Sequence, residues 1–390
     1  MRRLILLGLL AAMALPAGAA KRVTVAQLEQ ALAAASAAHK PAGEMVRLIA
    51  GMELSERLSE DTAERLDARL NAGSEVELAL ALLADQSAFL DPPASELPAT
   101  AAPDEAAQQR MLAAARSYVA QTLPRLPNFL ATRTINRYDD SPQEVRKGAW
   151  PVRAGLHLVD TSSREVSVRD ERENQPPTQG SAVWKEQIGL ISGGEFGSTL
   201  GMILADTVQG KVTWSHWEQS AAGATAVFHY SVPKSASHFE IIGSLQRQAA
   251  LEGHATTEAG SSSRGIAGIG VRPSGVSSTN TSIIRTRPGY HGSVWLDPAT
   301  GTILRITMEA DAKDSAPFRR AAILVKYGPV EIGGSSFICP VRSLAFSTAV
   351  AGAEAISGDA PTEWLNETLF TGYHRFASTT RILNGPAPPQ

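Results

Sequence analysis

Three histidines lie in or beside runs that alternate like strands: His216 in Trp214-Ser215-His216-Trp217, His229 in Phe228-His229-Tyr230, and His238 at the start of the next run. Three imidazoles brought together can bind zinc. Their convergence depends on strand register, which the sequence leaves open, and histidines at unrelated positions more often hydrogen-bond or face solvent. A serine hydrolase would place its nucleophile beside a base, and its commonest signature, G-x-S-x-G, is absent. Gly260-Ser261-Ser262-Ser263-Arg264 and Gly333-Gly334-Ser335-Ser336-Phe337 are near misses that lack the closing glycine. There is no H-E-x-x-H, no cysteine pair and no phosphate loop of the G-x-x-x-x-G-K-[ST] kind. Gly265 to Gly270 (GIAGIG) has dinucleotide-loop spacing without a strand before it and a helix after it. No catalytic residue, metal site or cofactor is therefore expected. The one cysteine, Cys339, has no internal disulfide partner and sits in the strand-like run Ser336-Phe337-Ile338-Cys339, where it reads as a small hydrophobe.

Asp297, six residues after His291, is the remaining candidate carboxylate, and its surroundings give it another task. In Asp297-Pro298-Ala299-Thr300-Gly301 an Asp opens the turn, Pro presets φ and Gly supplies a positive φ. The corner joins two alternating arms, residues 289–311 in all. Leu304, Ile306 and Met308 point one way and Arg305, Thr307 and Glu309 the other. A second hairpin, Ile323 to Arg342, turns at Gly333-Gly334, which suits a tight primed turn. Two consecutive hairpins make a meander. Leu304, Ile306 and Met308, joined by Trp214 and Phe228 from the earlier runs, are the candidate lining of an apolar cavity; whether Phe228 or Val227 points inward depends on register.

The elements carrying these residues fall into two textures. Residues 21–90 have helical period. Thr24 with Gln27, and Ser74 with Glu77, have capping-box spacing, and Leu28, Leu32, Leu66, Leu70, Leu82 and Leu83 mark apolar faces. Residues 91–103 hold four prolines in thirteen positions and read as an extended linker. A connecting helix is expected over 104–125, with Met111, Ala115 and Tyr118 on one face. Residues 126–385 alternate as an antiparallel β domain, interrupted by a short helix in EFGSTLGMILADT. Half of residues 253–288 are Gly, Ser or Thr, the composition of a flexible insertion, and 386–390 form a tail. The fold class is α+β: a helical bundle or array, then a curved antiparallel sheet, an open half-barrel, with a short helix packed on it.

The start of the chain reads as an export signal. Met1-Arg2-Arg3 is positive, Leu4 to Leu15 apolar, and Pro16-Ala17-Gly18-Ala19-Ala20 a small-residue exit, predicting cleavage after Ala19 or Ala20 and a periplasmic or extracellular protein. No stretch reaches the ~20 apolar residues that span a bilayer, so no transmembrane segment is expected in the mature chain. A formal charge of −3 gives no footprint for nucleic acid.

SAFLDPPASELPA, LPNFLATRTINRY, the GEFG segment, the GYHG hairpin and EIGGSSFICPVR resemble a group of exported bacterial proteins that brings no activity with it. In the order of its elements the β half is also distantly similar to the periplasmic lipoprotein-carrier superfamily: strands, a helical interruption, then D-x-x-T-G and I-G-G hairpins. That resemblance implies an open half-barrel with helices across its mouth and an apolar lipid-binding cavity. The long helical half and the Gly/Ser-rich stretch depart from it. The expected function is a non-enzymatic carrier or sensor that holds an acyl chain or apolar segment in the concave sheet. The alternative is an envelope structural or interaction module with a filled core and no ligand, and an enzyme outside the known motifs is the third reading. Lipid or another envelope protein is the expected partner.

Overall fold

The computed structural model describes residues 21–140, 155–169, 172–174, 190, 192–220, 223–247, 280–313, 318–349 and 362–376. Residues 1–20, where an export signal is expected, residues 253–279 of the Gly/Ser-rich stretch and the tail 386–390 lie outside the described residues. The described chain divides into two compact units, residues 21–93 with Gly155, and residues 94–140 with 156–376. Neither contains a helix long and apolar enough to cross a membrane.

The first unit is helical. Helix α1 (Val25–Ala37) starts at a complete capping box, in which the Thr24 hydroxyl accepts from the Gln27 N–H and the Gln27 side chain accepts from the Thr24 N–H. Val25, Leu28, Leu32 and Ala35 form its buried stripe. Helix α2 (Ala42–Ala50) follows Pro41 and buries Met45 and Ile49. Helix α3 (Glu60–Leu70) is capped by Ser59 and stopped by Asn71, whose left-handed φ of 45° the helix could not continue. Helix α4 (Ser74–Ser87) buries Val76, Leu80 and Leu83. Its start differs from the sequence reading: Gly73 is the capping residue, with no side-chain hydrogen bond, and Ser74 is already the first helical residue. The positive φ of Gly73, 94°, turns the chain into the helix one residue ahead of the Ser74/Glu77 box. One short parallel pair, β1 (Lys21–Val23) with β2 (Met52–Leu54), completes this unit.

In the second unit helix α5 (Glu105–Thr122), capped by Asp104, leads into the strands. They are β3 (Phe129–Asp139), β4 (His157–Arg169), β5 (Arg172–Asn174), β6 (Lys211–Ser220), β7 (Gly223–Val232), β8 (Ile241–Arg247), β9 (Asn280–Thr286), β10 (Tyr290–Leu296), β11 (Ile303–Ala310), β12 (Phe318–Ile332), β13 (Ser335–Ala349) and β14 (Thr362–Arg375). Ten form one curved, fully antiparallel sheet in the order β5-β4-β3-β14-β13-β12-β11-β10-β7-β6, not closed into a barrel. The expected meander is β10 to β13, and it continues into β14. Among the described residues β8 and β9 pair only with each other, so the end of the Gly/Ser-rich stretch is strand. Helix α6 (Ser198–Asp206), between β5 and β6 in the chain, is the short helix expected there.

Helices α5 and α6 cover one face of the sheet. Val119, Leu200 and Ile203 pack on Tyr230, Ile306, Met308, Ile323 and Val325, while Met111 and Ala115 pack on Ala226, Phe228 and Leu296. Side chains alternate along a strand, so Phe228, Val294, Ile306 and Val325, which face one another across β7, β10, β11 and β12, share this face. Each fully buried side chain of this size contributes roughly 1.5–3 kcal/mol. Phe129, Phe196 and Phe370 make a second cluster with edge-to-face rings 5.5 and 5.1 Å apart. The linker is no featureless spacer: Ala94–Glu96 makes a 3-10 turn, and the Ala101 carbonyl accepts from the Trp217 indole N–H at 3.0 Å.

Candidate functional site

The turn residues stand where their chemistry requires. The Asp297 carboxylate accepts from the Ala299 and Thr300 N–H groups at 2.8 and 2.9 Å, and Gly301 has φ 74°. A Cβ at Gly301 would lie 2.3 Å from the Ala114 carbonyl carbon, so this corner presses directly on α5. Gly333 and Gly334 both have positive φ, 62° and 83°, between the paired Ile332 and Ser335, the geometry of a two-residue primed turn.

The five candidate lining residues divide. Ile306 and Met308 are buried under α6 and Phe228 under α5. Trp214 is half-buried, edge-on to Phe228 at 5.3 Å and to Trp217 at 4.9 Å. Leu304 stands apart, because a β-bulge pairs Trp295 with Arg305 but Leu296 with Ile303 and leaves Leu304 as the extra residue. Ile303 takes the inward place that simple alternation gives to Leu304. A cavity between helices and sheet, walled by Leu112, Leu200, Ile203, Leu204, Val294 and Ile303 among others, has a free volume of about 40 Å³, and one beside it, walled by Val119, Leu123, Leu200 and Tyr327 among others, about 20 Å³.

Two buried polar groups fasten α6 to the sheet. Arg133 and Glu195 are almost wholly buried and pair at 2.7 Å, and Arg133 also reaches Glu173 at 2.9 Å. The Ser192 hydroxyl donates to Glu195 at 2.5 Å, and Ser343 lies 3.3 Å from the same oxygen. The signal was present in β3: Phe129, Ala131, Arg133 and Ile135 are successive inward positions, so Arg133 is an arginine on an apolar face. At the other end of α6 the buried Asp206 carboxylate accepts from the Tyr290 hydroxyl and the His238 N–H, both at 2.9 Å, and meets His238 Nδ1 at 2.5 Å. Burial, with the Asp206 carboxylate beside it, raises the Tyr290 pKa above the ordinary phenol value. Burial also pushes the Cys339 thiol up to about 12, which leaves it protonated and unreactive.

His238 is thereby committed away from the other two histidines, and among the described residues no group of three metal-binding side chains converges. His216 and His229 do meet, with ring centroids 6.4 Å apart and Ser215 between them. Ser215 Oγ lies 2.6 Å from His216 Nδ1 and 2.8 Å from His229 Nε2. Beyond them His216 Nε2 reaches Glu218 at 2.8 Å, and His229 Nδ1 reaches Ser293 at 2.7 Å. Comparison with protein-family models, curated proteins and solved structures finds no match.

The Ser215 cluster lies on the sheet face away from α5 and α6, since His216 pairs with Val227 and His229 alternates with the helix-facing Phe228. Alternation alone would put Ser215 and His216 on opposite faces. A second bulge, between Trp214 and His216, leaves Ser215 as the extra residue and lets its hydroxyl join the imidazoles. The sequence shows the histidines but not this bulge.

Proposed function

We propose that the chain is an exported envelope protein whose β unit has a filled core and engages a partner protein. The free volume of about 40 Å³ between helices and sheet carries this reading. It is room for two or three waters, against ~300–1,000 Å³ for a typical small-molecule site. The outer edge of β4 supports a protein partner. Among the described residues β5 pairs only with Ser167 to Arg169, and on the remaining length Leu158 and Val159 are 51% and 44% exposed. An extended segment of another envelope protein can add there as a strand, its backbone pairing with the N–H and C=O groups that have no partner strand among the described residues.

A carrier of the kind the lipoprotein-carrier resemblance implies is the second reading. The apolar walls of the same space favour it, and it requires α5 and α6 to part around an acyl chain. Native mass spectrometry of the purified mature protein, with lipid extraction, separates the two. The expected mass is that of the chain cut after Ala19 or Ala20 with nothing bound, and stoichiometric lipid would establish the carrier instead.

A further inference from the structure

Hydrogen-bond bookkeeping orders the Ser215 cluster in one direction. A Glu218 carboxylate can only accept, so His216 Nε2 carries the hydrogen of that 2.8 Å bond, and in the tautomer able to act as a base Nδ1 is the acceptor. The single hydroxyl hydrogen of Ser215 then points at Nδ1, 2.6 Å away. With that hydrogen committed, the 2.8 Å contact to His229 requires Nε2–H of His229 to donate to Ser215 Oγ. His229 Nδ1, now bare, accepts from the Ser293 hydroxyl at 2.7 Å. With His216 in that form, the four contacts are satisfied by one tautomer of each ring. The result is a hydroxyl aimed at an imidazole whose far N–H is held by a carboxylate, with a second N–H donor on the hydroxyl oxygen.

We propose that Ser215 is the nucleophile of an acyl-ester hydrolase site on β6, with His216 as its base, Glu218 as the group that positions His216, and His229 as a donor to the developing charge on Oγ. This is the division of labour of a serine triad, with the imidazole turned so that Nδ1 rather than Nε2 faces the serine. Either ring nitrogen can take the proton. As Ser215 Oγ bonds to the carbonyl carbon, its proton moves to His216 Nδ1. The ester C–O bond breaks and the departing alcohol oxygen takes that proton, leaving an acyl-serine. Water then gives a proton to Nδ1 as its oxygen bonds to the acyl carbon, and Oγ departs and recovers the proton. One ester and one water become one carboxylic acid and one alcohol. The substrate class is a small acyl ester, because the cluster lies on a sheet face and not at the end of an apolar tunnel. Strand β6 is the last of the sheet, so its outer N–H groups have no strand partner among the described residues.

The test uses the mature full chain with a fluorophosphonate probe and with p-nitrophenyl acetate. The expected result is a single covalent adduct mapped by peptide mass spectrometry to Ser215, lost in Ser215→Ala, with labelling slowed about a hundredfold or more in His216→Gln. Glu218→Gln, acting through His216, is expected to lower kcat for the acetate ester while leaving KM unchanged. Circular dichroism confirms that each variant is folded, and Ser215→Thr, which keeps the hydroxyl in the network, serves if Ser215→Ala is not. A folded wild-type chain that takes no adduct at Ser215, or labels equally fast with His216 replaced, overturns the proposal.

Discussion

Asp297 shows how a single carboxylate can look chemical and be architectural. Its bonds from Thr300 and Ala299 hold its pKa below the ordinary carboxylate value, because they favour the ionised form. A depressed folded-state pKa means that the stabilisation is complete above the unfolded value of ~3.9 and is lost as pH falls through the lower folded value. An amide oxygen accepts the same two bonds without titrating. Asp297→Asn is therefore expected to lower stability at pH 7 by less than about 1 kcal/mol, the range of a retained turn. The difference from wild type should begin to shrink in melting curves as pH falls below about 4, and disappear once pH lies below the depressed folded-state value. Gly301 is less forgiving. Gly301→Val combines a β-branched residue at φ 74° with the 2.3 Å approach to α5, and is expected to cost about 3 kcal/mol or more by urea denaturation.

At the scale of elements, α6 is placed on the sheet by charges as well as by apolar packing. Its approach segment lowers Glu195 onto Arg133 and Phe196 between Phe129 and Phe370. Removing one member of a buried pair strands the other charge, so Arg133→Met is expected to cost about 3–5 kcal/mol. Arg133→Met in a Glu195→Gln background should cost less, and a double-mutant cycle on denaturation midpoints should give a coupling of about 1–3 kcal/mol. Additive effects would show that the helix is held by its apolar face alone. The bulges are the other element-scale devices. One trades Leu304 for Ile303 on the inner face, and the other turns Ser215 toward His216 and His229.

At the scale of the whole molecule, the chain first passes from one compact unit to the other between Pro93 and Ala94, within the proline-rich segment. Asp91 is tied to the helical unit by the Arg57 N–H, whereas Ala101 is tied to β6 through Trp217. Residues 99–102 are exposed. Limited proteolysis is expected to cut first within residues 94–102 and to release a helical fragment that keeps its far-UV circular dichroism. Early cleavage inside α1 to α4 would contradict an independently folded helical unit.

By itself the sequence determined the local structure: the Thr24 capping box, the Asp297 and Gly333-Gly334 corners, the meander and the succession of helices followed by antiparallel strands. These are legible because caps and turns arise from residue chemistry over four or five positions, and helix and strand periods from the spacing of apolar side chains. The tertiary structure alone decided which residues meet. A bulge inserts one residue and reverses the facing of every later residue in its strand, so no periodicity could place Ile303 inside or bring Ser215 to His216. Arg133 and Glu195, 62 positions apart, and Asp206 with Tyr290, 84 apart, become partners only when the sheet and α6 are assembled. The free volume beneath the helices likewise depends on how side chains interlock across the layer, which composition and pattern do not encode.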